Sequence, residues 1–353
     1  MIVRSAVASR PPARRDRSSS ISVARRRRAV GLVVALTALA VVSVLSIAVG
    51  SNALTPGEVW RALTAPDGTV VDRVVLDLRM PRTVAALVAG VALGLAGALI
   101  QAFTRNPLGD PGILGVDAGA ALFVAIGVAL GAVTALQFLP WAFGGALAVT
   151  VGVSVIGAAG RSGPDPVRLT LAGVAVGAVL MGITSAMMLL SPLTFARMRG
   201  WNAGSFVERG WDVVLPVVPF VVAGAIVALS CTRSLNALGL GDDLAAALGA
   251  RLTRTRVLSV VAITLLAGSA TAIAGPIAFV GLMAPHVARW IVGPDQRWIV
   301  PYTMVIAPTV LLLADVLGRI VLWPSEVPVG IVTAFVGAPV LILLVRRAKA
   351  SSL

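Results

Sequence analysis

Few side chains in this 353-residue chain could do chemistry. His286 is the single histidine, Cys231 the single cysteine and Lys349 the single lysine. A phosphate-binding P-loop needs Gly-x-x-x-x-Gly-Lys-Ser/Thr, because its lysine reaches the phosphates. Lys349 stands four residues before Leu353 in no such context. A Ser-His-Asp arrangement would have to use His286, which is packed in Ala284-Pro285-His286-Val287. One cysteine excludes an internal disulfide, and one histidine disfavours a His/Cys metal site. The reading is a chain without catalytic residues, cofactor or metal, not an enzyme, whose work must be powered elsewhere.

Arginine is the abundant charge, and the formal net charge is +14. Nine arginines fall within residues 1–28, which end in Arg25-Arg26-Arg27-Arg28, and most others lie between apolar runs. That is topogenic charge rather than a nucleic-acid surface. Residues 1–28 read as a disordered basic cytoplasmic arm, residues 29–345 as a membrane domain and 346–353 as a cytoplasmic tail.

Hydrophobic residues make up 58% of the chain and charged ones 12%, with a mean hydropathy of +0.96. Soluble domains are about 45–50% apolar and about a quarter charged. An apolar run of ~20 residues spans ~30 Å of hydrocarbon as a helix. The fold class expected is an all-α polytopic membrane protein with ten transmembrane helices. The first run, 29–50, exceeds a signal-peptide core in length and reads as a retained helix. The others are 83–103, 118–138, 141–159, 169–190, 213–231, 257–274, 277–293, 300–317 and 327–345. With both termini in the cytoplasm, 21 Lys/Arg lie inside and 8 outside, in keeping with the positive-inside rule.

Ionisable groups near the spans are few: Asp117 just outside one, and His286, Arg289 and Asp315 towards span ends. A proton-coupled carrier generally needs more at the midplane. Ala89-Gly90, Gly94 and Gly97, and Gly173, Gly177 and Gly182, allow close helix approach. A shift of 178 residues sets Ala89, Gly90, Ala92, Ala96, Gly97, Pro107, Gly115 and Asp117 on Ala267, Gly268, Ala270, Ala274, Gly275, Pro285, Gly293 and Asp295. Five spans separate the two copies, so they would form an inverted repeat, as transporters often contain.

One polar segment, 235–256, has its own pattern. Gly241 closes a turn, Asp242 or Asp243 can cap a short helix, and Gly249 can stop it. Leu244, Ala247 and Leu248 would share a face. Ala246 and Ala247 complete a candidate docking helix for a cytoplasmic partner.

Three sets of residues carry a family resemblance: Arg79-Met80-Pro81-Arg82 with Gln101, Arg105-Asn106-Pro107-Leu108, Pro111-Gly112 and Leu114-Gly115; Gly275-Pro276-Ile277-Ala278-Phe279-Val280-Gly281-Leu282 with Pro285-His286 and Arg289; and Glu326-Val327-Pro328-Val329-Gly330 with Thr333 and Gly337-Ala338-Pro339. Together they resemble the permeases of iron-chelate and vitamin B12 ABC importers, in order from about residue 55 onward. The resemblance implies ten helices per subunit, paired permeases around a path, two ATPase subunits below and a substrate-binding protein above. It implies that 235–256, with Gly241, Asp242, Asp243, Ala246, Ala247 and Gly249, seats in the ATPase. It also implies that Arg79, Arg82 and Arg319 meet acidic residues of the binding protein. The loop Gly293-Pro294-Asp295-Gln296-Arg297 departs from relatives that carry histidine at Gln296.

The cargo expected is a ferric siderophore, with vitamin B12 or haem as alternatives in the family. An ion- or proton-driven secondary carrier is the rival from another class. The location expected is a bacterial cytoplasmic membrane.

Overall fold

A computed structural model describes residues 17–50, 53–158 and 166–350. Its α-helices, in chain order, begin with α1 Arg17–Ala48, α2 Pro56–Thr64, α3 Val70–Arg73, α4 Met80–Thr104 and α5 Val116–Ala129. Next come α6 Ala135–Ala158, α7 Pro166–Leu190, α8 Pro192–Asn202, α9 Trp211–Val214 and α10 Val218–Leu238. The last are α11 Asp242–Ala247, α12 Leu252–Ala274, α13 Val280–Val292, α14 Gln296–Val321 and α15 Val329–Ala350. No strand occurs among the described residues.

Among the described residues, seven helical stretches are long and apolar enough to cross a membrane: Arg25–Ala48, Val70–Thr104, Ala135–Gly157, Pro166–Leu190, Val218–Leu238, Leu252–Ala274 and Gln296–Val321. Val116–Ala129, Val280–Val292 and Val329–Leu343 are shorter apolar helices. Each expected span meets one of these ten, with revised ends. The run 118–138 is cut short, because the chain turns after Ala129 through Gly131 at φ 102° and restarts at Ala135. Apolar composition continues across that turn, so hydropathy alone could not see it. The later part of the segment expected as a disordered arm is helical, since α1 begins at Arg17; residues 1–16 lie outside the described residues.

The core is built on small residues. A Cβ on Gly97 of α4 would stand 1.8 Å from the carbonyl oxygen of Gly281 in α13, so only glycine permits this crossing. Close approach of this kind stands in for the hydrophobic drive that is missing between helices in lipid.

Packing shows an exchange between two halves. The helices α5, α6 and α7 pack on one another, and so do α13, α14 and α15. The helix that precedes each trio lodges in the other: α4 against α13 and α14, α12 against α5 and α6. Lengths echo too, with 25, 14, 24 and 25 residues for α4–α7 and 23, 13, 26 and 22 for α12–α15. The sequence echo at a shift of 178 does not map local structure one to one. Gly97 lies within α4, whereas Gly275 ends α12 at φ 77°.

A continuous stretch joins α3 to α4 through a π-helical turn, Val74–Arg79. Pro81 has no N–H to donate to the Asp77 carbonyl, which loosens the ladder at this point. The turn carries Arg79 inward, to 5% exposure.

Candidate functional site

At one end of the bundle, Arg79, Arg82 and Arg319 converge. The expectation of charges presented to a partner meets a different arrangement: Arg319 is 2% exposed. Arg82 donates through Nη2 to Asp315 Oδ1 at 2.8 Å and through Nη1 to Glu326 Oε2 at 2.6 Å. Arg319 pairs with Asp315 one turn away and donates to the carbonyl oxygens of Ser46 at 2.7 Å and Val49 at 2.9 Å. Arg79 donates to the carbonyls of Ile47 at 3.0 Å and Ala48 at 2.7 Å. The last carbonyls of a helix lack partners within it and carry partial negative charge. Two arginines thus close the end of α1, and Asp315 serves two guanidiniums. A cleft of about 590 Å³ opens above them, lined also by Asp77, Glu208, Arg209 and Asp212.

The opposite end holds the polar segment. Gly241 at φ 104° and Gly249 at φ 82° bracket α11, as glycine punctuation predicts. The cap differs from expectation: Gly241 itself is the N-cap, and neither Asp242 nor Asp243 caps by its side chain. Asp242 is drawn away by two ion pairs, with Arg105 and with Arg256, the latter at 2.7 Å. Both aspartates remain in the first turn, where negative charge suits the helix dipole. Leu240, Leu244 and Leu248 are exposed, and so are Ala246 and Ala247, while Ala245 is buried. An apolar ridge is made by Leu240 before the helix, Leu244 within it and Leu248 at its C-cap; the Arg105–Asp242 pair sets it near the turn at Asn106, whose side chain accepts from Leu108 N–H at 3.0 Å.

The third feature was not foreseen. A cleft of about 770 Å³ is lined by Asp117, Asn202, Pro276, Ile331, Phe335 and Pro339, among other residues. Thr271 donates to Asp117 Oδ1 at 2.7 Å. Phe335 is 84% exposed, a large aromatic turned outward beside the cleft. Asp117 lies in the first turn of α5 and brings a carboxyl into a mainly apolar wall. Gly275-Pro276 ends α12 here, Pro339 lies within α15, and these residues were the available signal. His286 meets Trp290 edge-on, and its Nδ1 has no hydrogen-bond partner among the described residues.

An end tied by arginines, an end bearing an apolar ridge and a cleft between them suit a permease. Over residues 38–347 the sequence matches the FecCD transport family. The chain belongs to that family. Its FecCD relatives include the ferric enterobactin transport system permease protein FepD of Escherichia coli (strain K12), 48% identical over 332 residues, 94% of this chain and 98% of that one. The Fe(3+)-citrate import system permease protein YfmD of Bacillus subtilis (strain 168) is 36% identical over 305 residues, 86% of this chain and 91% of that one. A solved inward-facing metal-chelate type ABC transporter superposes with a TM-score of 0.79 at 27% identity, covering 90% of this chain and 98% of that one. In this FecCD chain the similarity covers α4, α11 and α14 alike, and so includes every site residue named above.

Proposed function

We propose that this chain is the transmembrane permease subunit of an ATP-driven importer for a ferric siderophore, and that it moves cargo by alternating access. The observation that carries this reading is the 48% identity to the ferric enterobactin permease along nearly the full length of both chains. Seven long and three shorter apolar helices provide for ten crossings. The start of the membrane span lies beside α14, with Arg28 against Trp298 and its carbonyl bonded by Tyr302. At the other end of α14, Val327 N–H bonds to the Gly318 carbonyl just before α15 sets off. We therefore read both the start of α1 and the end of α15 as lying on the Arg105–Asp242 side, taken as cytoplasmic. The exchanged packing of α4 and α12 favours an inverted repeat.

In this reading two ATPase subunits supply the energy, and α11 with its leucine ridge couples to one of them. A second permease subunit faces the Asp117–Phe335 cleft and completes the path. The extracellular binding protein docks at the arginine end. All three arginines line the cleft, and Arg82, at 13% side-chain exposure, is the most exposed of them, while Arg79 and Arg319 hold the surface in shape.

The test is reconstitution of the permease with its ATPase and binding protein in liposomes, followed by uptake of iron-55 siderophore complexes. ATP-dependent accumulation of a catecholate or hydroxamate complex is expected. Accumulation driven by an ion gradient without ATP would overturn the reading.

A further inference from the structure

A groove of about 320 Å³ runs along the flank of the bundle between α6, α7 and α12. Its walls include Leu147, Val151, Val155, Val257, Val260 and Leu265. Two hydroxyls line it, but their protons are spent: Ser154 donates to the Thr150 carbonyl at 2.6 Å and Thr264 to the Val260 carbonyl at 2.8 Å. The trough therefore offers hydrocarbon. Val151, Val155 and Val257 are exposed, so the trough opens outward, within helices that carry apolar surface into the bilayer.

One end of this groove is cationic. Arg256 closes it. Arg254 is exposed and sits one turn before Val257 on α12, and exposed Arg168 directly precedes the lining residue Leu169. These arginines lie at the α11 end of the molecule, since Arg256 also grips Asp242. An apolar trough that ends in clustered arginines at the membrane surface has the chemistry of a lipid with a long acyl chain and an anionic phosphate.

We propose that this groove is a binding site for an anionic phospholipid of the leaflet on the α11 side. The acyl chain lies along Val151, Val155 and Val260, and the phosphate sits between Arg254 and Arg256. Because Arg256 holds both the phosphate and Asp242, the lipid and the coupling helix share one cation. The site's leaflet rests on the orientation argued above; its occupancy does not.

The probe is palmitoyl-oleoyl phosphatidylglycerol, titrated against the phosphatidylcholine of the same chains onto the purified full-length chain, with retention read by native mass spectrometry. One molecule of phosphatidylglycerol should be retained in preference. Arg254→Gln should weaken that retention about fivefold, since a basic residue near the surface contributes about 1 kcal/mol. Val260→Trp, which fills the trough, should abolish it. Val151→Trp, at an exposed wall position, provides the same test with less risk to folding. Ile226→Trp on the exposed face of α10 should leave retention intact. Equal retention of the two lipids, an unchanged preference in Arg254→Gln, or undiminished retention in both groove-filling variants would overturn the site. None of these readouts depends on transport, so a failed uptake assay and a failed lipid site are separable.

Discussion

At the scale of the residue, Asp315 is the group on which most depends. It accepts from Arg82 on α4 and from Arg319 on its own helix, and Arg319 in turn holds the end of α1. Removing one partner of a buried pair costs about 3–5 kcal/mol, because the other charge is stranded. Asp315→Ala strands Arg319, so thermal unfolding of the purified protein should shift down strongly. Arg82→Gln leaves Asp315 its Arg319 partner and should cost distinctly less; equal losses would show that the shared carboxylate is not the centre of the network. Part of this arrangement was legible. Arg319 lies four residues after Asp315, which suggests a helical pair. The partnership of Arg82 with Asp315 spans 233 residues of chain. Nothing in Arg79-Met80-Pro81-Arg82 says whether its guanidiniums point to water or to helix-end carbonyls. Charge and position grouped these residues at one end, but burial is a property of neighbours that arrive from afar.

At the scale of the element, span recognition by apolar run length located every apolar helix and blurred its ends. It missed α2 and α8, because both are short and of mixed polarity. Local chemistry could have found α2: Thr55 accepts from Glu58 N–H while Glu58 reaches back to Thr55, a reciprocal cap. Hydrogen bonds from the Thr55 backbone and hydroxyl lower the Glu58 pKa below its ordinary value. A lowered folded-state pKa contributes stability above the usual carboxylate range and loses it as pH falls. Hydrogen exchange of the α2 amides should therefore accelerate on acidification through that range, beyond the intrinsic pH dependence of exchange. Thr55→Ala should remove this extra response, and an unchanged pH response would refute the cap's role. The crossing of α4 and α13 gives a sharper contrast. Gly97→Ala places a methyl against backbone and should abolish folded protein. Gly152→Ala meets nothing within 4 Å and should be silent. On α11, Ala246→Arg with Ala247→Arg puts bulk and charge on exposed positions. Such a chain should insert normally and fail to co-purify with its ATPase; retained co-purification would reduce α11 to an ordinary loop.

At the scale of the whole molecule, the proposal fixes which ends face which compartment. In a Cys231→Ser background, Gly57→Cys on α2 should react with an impermeant maleimide added outside intact cells. Asp243→Cys on α11 should react only after the cells are opened. Labelling of both from one side would invert or break the topology. The docking end makes its own forecast. Rim charges steer encounter and are screened over ~8 Å at physiological salt. Arg82→Glu should therefore slow binding-protein association most at low ionic strength, while the ATPase activity of the assembled transporter persists. The composition of the chain foretold an all-helical, multi-pass membrane protein, since so much apolar sequence admits few other architectures. The outward Phe335 and the carboxyl of Asp117 in the cleft were beyond it, because the cleft wall is assembled from four separate stretches of chain.

The exchanged helices bear on how the protein is made. Ribosomes deliver α4 long before α13 and α14 exist, so its glycine face must wait in the bilayer without the surfaces it was shaped to meet. The trio α5–α7 waits likewise for α12. Until the second half is inserted, neither half is finished, and a nascent chain stalled before Leu252 displays two unfilled seats at once. Membrane proteases that survey for unpaired small-residue faces would find them there. Pulse-chase of chains truncated at Gly249 should show rapid turnover, and co-expression of residues 250–353 as a separate polypeptide should slow it by seating α12, α13 and α14 where α4 and α5–α7 stand open.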